Sequence, residues 1–141
     1  MTIDGAVIIL HRNIYITEDD KTRLTEFIKN YLLRETGARQ LVLSLDKALS
    51  DAYTTEKGQM PKDTVLIHSW VVLGFIDAEE KVKLVFPDEA DVSQNMVSVV
   101  SPIGMAIFGG RKGQTVEWEG EHALHSVLII DIMQEDDIRI D

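Results

Sequence analysis

The apolar residues change period near residue 60, and this change limits the available folds more than any other feature of the chain. Upstream, Leu24, Phe27, Ile28, Tyr31 and Leu32 recur at i, i+3, i+4, i+7 and i+8, which places them on one face of an α-helix. Thr17 precedes Glu18-Asp19-Asp20, a hydroxyl N-cap followed by acids in the electropositive first turn. Gly37 suits the end of that helix. Leu41, Leu45, Ala48, Leu49 and Ala52, with Val42 close by, line a second one. The spacing predicts helices over 18–36 and 38–54, packed as an antiparallel hairpin with its tip at Arg34 to Arg39. Val7–Leu10 and Ile14–Ile16, ahead of the helices, are β-type clusters.

Downstream the period falls to two. Thr64 to Ile76 is rich in β-branched and aromatic residues, Asp77–Glu80 is a polar turn, and Lys81–Phe86 alternates until Pro87 stops it. Met96–Val100 reads as a third strand, and Thr115–Glu119 with Leu124–Met133 as a hairpin across Gly120. Between them Ser101-Pro102 opens a short helix near 102–108: serine as N-cap, and proline at N1, where its missing N–H costs nothing. Ile103, Ala106 and Ile107 are expected on its core side, and Gly109-Gly110 at its end. The expected class is α+β. Residues 1–60 form a strand and a short helical hairpin, and residues 61–141 an antiparallel sheet wrapped on one short helix. The seam is the turn-rich Glu56–Pro61.

Charge follows the same division. Residues 1–60 carry eight basic and nine acidic side chains, a net of −1, whereas residues 61–141 carry six and fifteen, a net of −9. That balance argues against direct nucleic-acid binding, which rests on cations facing phosphate. It is compatible with a partner protein that has a basic surface, and charge would then help the encounter. The chain has no cysteine, so a disulfide scaffold, a thiolate zinc site, an iron–sulfur cluster and a cysteine nucleophile are excluded. His122 and His125 lie three apart, and a strand does not turn two such residues to one face. His11 and His68 are isolated, and neither a metal motif, a phosphate loop nor a catalytic triad order is visible. The early apolar run Ala6–Leu10 is too short to span a membrane. Asp4 stands where a secretory signal would carry positive charge, so a cytoplasmic location is expected.

One stretch resembles a known family. Asp88-Glu89-Ala90-Asp91, followed by Met96-Val97-Ser98-Val99-Val100-Ser101-Pro102-Ile103-Gly104 and on through Gly109-Gly110-Arg111-Lys112-Gly113-Gln114, is similar to the C-terminal domain of the bacterial Gre transcription elongation factors. Met60-Pro61-Lys62-Asp63-Thr64-Val65 fits the start of that domain. The resemblance is closer still to the small regulators of nucleoside diphosphate kinase (Rnk), relatives of Gre factors, and covers roughly residues 14–134. Two positions depart from the pattern. Gln114 stands where the family usually has Asp, within a turn, and Val100 stands where some Gre factors have a polar residue at a polymerase contact.

The resemblance implies an FKBP-like fold for residues 61–134, used for docking rather than for isomerase chemistry. It implies a non-enzymatic regulator that binds RNA polymerase on the largest subunit, at the rim of the secondary channel. No cofactor or metal is implied. The contact residues it implies are Ser101, Pro102 and Ile103, with Asp91 as a nearby acid. It also implies no transcript cleavage. Gre cleavage factors place clustered carboxylates at a long hairpin tip to hold Mg²⁺, whereas Leu33 to Gln40 holds one acid and two arginines. The alternatives are a prolyl isomerase of FKBP type and a cytoplasmic adaptor for another protein.

Overall fold

The computed structural model of the protein describes residues 14–32, 39–119 and 124–134. Strand β1 (Tyr15–Ile16) leads into helix α1 (Glu18–Leu32). The expected cap is in place, since Thr17 Oγ1 accepts the Asp20 N–H at 3.1 Å. Helix α2 (Arg39–Ser50) follows. Leu24 and Ile28 of α1 are buried, as are Val42, Leu45 and Leu49 of α2, so the helical period carries the contact between them. The Val7–Leu10 cluster, residues 34–38 of the hairpin tip, the turn at Gly120 and residues 135–141 lie outside the described residues.

Helix α2 ends earlier than its apolar period suggests. Tyr53–Thr54 forms a second strand, β2, parallel to β1. The Tyr53 N–H donates to the Ile14 carbonyl at 2.8 Å, and the Thr55 N–H to Ile16 at 3.1 Å. The Tyr15 and Tyr53 rings stack at 5.1 Å. Three consecutive β-type residues, Tyr53-Thr54-Thr55, gain more from this pairing than from another helical turn.

The larger sheet has the order β5-β4-β3-β7-β6, formed by β3 (Trp70–Gly74), β4 (Glu79–Val85), β5 (Met96–Ser98), β6 (Thr115–Glu119) and β7 (Leu124–Met133). It is mixed rather than wholly antiparallel, because β5 runs parallel to β4, with Lys83 opposite Met96 and Val85 opposite Ser98. Residues 86–95 make the reversal possible. They fold into two 3-10 turns, Pro87–Glu89 and Val92–Gln94, and return the chain to the starting end of β4. The expected strand from Thr64 is shortened to Trp70–Gly74. His68 adopts a left-handed φ of 75°, and Ser69 Oγ accepts the Leu66 N–H at 2.8 Å, so the chain turns before it enters the sheet, and Val65 bonds Gly109 and Gly110 instead. Ile130 is an extra residue on β7, where the register with β3 shifts between Val72 and Leu73; such a bulge strengthens the local twist.

The sheet wraps helix α3 (Pro102–Ile107), whose Met105, Ala106 and Ile107 are buried. The apolar cluster is continuous from Leu24 and Leu45 of the helices through Leu84 and Phe86 to Ile107 and Val127. Trp118 is buried, whereas Trp70 is half-buried on the outer face, with the Lys81 ammonium 5.2 Å from its ring centre.

Gly104 sets how close α3 lies to β5. A Cβ on Gly104 would be driven into the Ser98 carbonyl oxygen, which is backbone and has nowhere to retreat. Gly104→Ala is therefore expected to destabilise by about 2 kcal/mol, despite the higher helix propensity of alanine. A thermal melt checks this, and a variant as stable as the parent would contradict the packing.

Candidate functional site: the β5–α3 edge and its clasp to the helices

Strand β5 is an edge strand, and the chain leaves it through a tight turn into α3. Ser98 Oγ accepts the Val100 N–H at 3.1 Å, and the Val99 N–H donates to the Val85 carbonyl at 2.8 Å. Ser101 then works in both directions: its hydroxyl donates to the Ser98 carbonyl at 2.6 Å and accepts the Gly104 N–H at 3.1 Å. The serine predicted as N-cap is thus the N-cap, and Pro102 occupies the first helical turn. The result is a rigid corner. Pro102 is exposed at its apex, Ser101 and Ile103 are half-buried, and the rest of α3 faces inward.

Asp91 sits at the other end of β5. Its backbone N–H donates to the Met96 carbonyl at 2.9 Å, and its carbonyl accepts the Met96 N–H at 3.0 Å, which closes the four-residue loop 92–95. Its carboxylate caps that loop, accepting from Ser93 N–H at 3.0 Å and Ser93 Oγ at 2.6 Å. The structure therefore places Asp91 and Ser101–Ile103 at opposite ends of one three-residue strand, about 10 Å long. Val100, the departure from the family pattern, is half-buried against the core. Gln114 keeps its turn intact: Gln114 Oε1 accepts the Arg111 N–H at 3.0 Å, as a shorter carboxylate could also do.

A second cluster binds the sheet to the helices, and sequence reasoning did not find it. Arg23 of α1 reaches Asp88 Oδ1 at 3.1 Å and Oδ2 at 3.3 Å, with its guanidinium carbon 4.0 Å from the centre of the Phe86 ring. His68 Nε2 lies 2.8 Å from Glu89 Oε1, and its ring meets Phe86 edge-on at 5.6 Å. Glu89 Oε1 also accepts the Phe86 N–H at 3.2 Å. Burial opposes ionisation of Glu89, but the hydrogen bonds from His68 and Phe86, with the charges of His68 and Arg23, hold its carboxyl below the usual value of 4.5. His68 was expected to be isolated, and its partner lies 21 residues away. His125 is exposed and stacks on Trp118 at 5.2 Å. His11 and His122 lie outside the described residues.

A cleft of about 970 Å³ opens where the helices meet the sheet, lined by Tyr15, Ile16, Asp20, Met60 and His68 among others. None of Asp91, Ser101, Pro102 or Ile103 lines it, and Tyr15 is the one Phe, Tyr or Trp that does among the described residues. Among those residues there is no group of three or more His, Asp or Glu arranged to hold a metal ion. Nor is any helix among them long and apolar enough to cross a membrane.

Residues 60–134 match the family model described as "Transcription elongation factor, GreA/GreB, C-term". The chain belongs to the GreA/GreB family. It is 30% identical over 120 residues to the transcription elongation factor GreA of Christiangramia forsetii, a match that spans 82% of this chain and 76% of that one. It is 33% identical over 78 residues to the regulator of nucleoside diphosphate kinase of Escherichia coli, spanning 54% and 57%. Against the curated relatives it matches, the chain spans between about half and three quarters of their length. Its fold is similar to that of the prokaryotic transcription elongation factor GreA/GreB from Nitrosomonas europaea, with a TM-score of 0.71 over 85% of this chain and 98% of the other, at 24% identity. Within the GreA/GreB family portion lie β3 to β7, α3 and the Phe86–Glu89 side of the clasp.

The clasp has a pH signature. A carboxyl whose folded pKa is depressed adds stability above its unfolded value and loses it as pH falls through the folded value. Glu89→Gln is therefore expected to be less stable than the parent at pH 7. The difference should narrow as pH falls below about 4.5, the ordinary value of the group. Thermal melts of both proteins from pH 7 to pH 3 measure it, and a constant difference would exclude the ionic contribution.

Proposed function

We propose that this chain is a regulator that binds RNA polymerase through the β5–α3 edge and does not itself stimulate transcript cleavage. The observation that carries the reading is the corner at Ser101–Ile103. A doubly bonded serine cap presents an exposed proline and a half-buried isoleucine where an edge strand turns into a helix, in a chain of the GreA/GreB family. Rigid apolar groups of this kind bind another protein at little entropic cost. In this reading residues 61–141 are the docking unit and residues 1–60 the helical appendage. Ser101, Pro102 and Ile103 face the rim of the secondary channel on the largest subunit, with Asp91 at the far end of the same surface. The excess of acid in residues 61–141 suits a basic surface on the polymerase and speeds the encounter. The protein acts in the cytoplasm, as a factor rather than an enzyme.

The absence of cleavage rests on the hairpin. Its tip sequence, Leu33 to Gln40, holds Glu35 against Arg34 and Arg39, and a net positive tip repels Mg²⁺. The helix expected over residues 18–36 would rise about 28 Å, short for a probe that must reach deep into a channel.

A backtracked elongation complex mixed with this protein tests the reading. The protein alone should release no cleavage product, and it should suppress cleavage stimulated by a Gre factor as its concentration rises. Pro102→Asp places a charge at the apex and keeps an acceptable first-turn residue, so it should need about tenfold more protein for the same suppression. Cleavage by the protein alone would contradict the non-cleaving part. Suppression unaffected by Pro102→Asp would contradict the docking surface.

A further inference from the structure

Val92 is 89% exposed, although it lies in one of the most tightly tied loops of the sheet. Both backbone bonds between Asp91 and Met96 close the loop, the Asp91 carboxylate takes two bonds from Ser93, and Asn95 completes the turn in a left-handed conformation with φ of 57°. A solvated loop has no need to fix an aliphatic side chain outward in this way. Exposed aliphatic groups are ordinary when scattered, but here the group stands at one end of β5 with the Pro102 corner at the other. The strand between them is about 10 Å long, so both groups lie along one edge that a single protein–protein footprint of about 800 Å² per partner can cover. Half-buried Met96 and Val97 lie on the strand between them.

We infer that Val92 is a second apolar anchor of the docking surface, and that Asp91 is a positioning residue that holds the loop rather than a direct contact. Both carboxylate bonds of Asp91 end on Oδ1 and both go to Ser93, which is the chemistry of a cap. The inference rests on the docking reading above and extends it along β5. The partner it fits is a helical element whose apolar stripe reaches both Val92 and Pro102. Basic side chains beside that stripe would suit the net charge of −9 carried by residues 61–141.

The test is equilibrium binding of the full chain to core RNA polymerase by biolayer interferometry, with the thermal transition of each variant recorded. Val92→Asp should weaken binding about tenfold with an unchanged transition, because the side chain it replaces makes little contact with the fold. Asp91→Asn retains a carbonyl oxygen for the cap and should bind within about twofold of the parent, while Asp91→Ala should weaken binding about fivefold. Ile76→Asp, at a fully exposed apolar residue on the β3–β4 turn, should bind as the parent does. Parent-like binding by Val92→Asp, with Pro102→Asp weakened, overturns the inference alone. Parent-like binding by both overturns the docking reading beneath it. Equal losses for Asp91→Asn and Asp91→Ala overturn the positioning role, because the charge itself would then be the contact.

Discussion

The passage of Gly104 beneath the Ser98 carbonyl is the contact on which the surface of the sheet unit depends. Without a side chain at that position α3 can lie against the end of β5, and Ser101 can bond both Ser98 and Gly104 with one hydroxyl. Met105, Ala106 and Ile107 are then buried, and the cluster that joins helices to sheet is filled. Pro102 is turned outward by the same geometry. In the proposed docking reading, folding and recognition share one turn, in which the residues that seal the core also fix the orientation of Pro102.

The second constraint joins the helices to that surface. Phe86 is fully buried at the end of β4, and its ring is covered by the Arg23 guanidinium and by the edge of His68. Asp88 and Glu89, on the 3-10 turn that follows, hold those two side chains in turn. The same ten residues, 86–95, reverse the chain so that β5 runs parallel to β4 and carry Asp91 to the start of β5. One connection thus orients the helices, sets the direction of the edge strand and places the Val92 loop. Exposed ion pairs contribute little singly, about 1 kcal/mol or less. Here the pairs flank an apolar ring, so their role is orientation more than stability.

Much of this architecture is legible in the residue pattern. The caps at Thr17 and Ser101 are local chemistry, with an oxygen placed three residues before the N–H it accepts. The strands Thr115–Glu119 and Leu124–Met133 fall where alternation puts them. The misreadings share a cause, since they depend on partners distant in sequence. Alternation shows that Met96–Ser98 is a strand but says nothing of its direction, which is set by the link before it. Tyr53-Thr54 leaves the helical pattern because β1 is there to pair with it. His68 looks solitary until the fold brings Glu89 to it. The Ser101–Ile103 corner was legible as a helix start, whereas Asp91, expected near it, lies at the other end of β5. That the Asp91 carboxylate caps a loop, leaving Val92 as the exposed group, follows only from the closed Asp91–Met96 bridge.

Site-specific photo-crosslinking asks whether the β5–α3 edge faces RNA polymerase. A photo-reactive amino acid would replace Pro102 in one protein and Leu128 in another. Leu128 is 41% exposed on β7 and lies outside the β5–α3 edge. Irradiation with core RNA polymerase should join position 102 to the largest subunit and leave position 128 unlinked. A crosslink from position 128 without one from position 102 would put the docking surface elsewhere on the sheet.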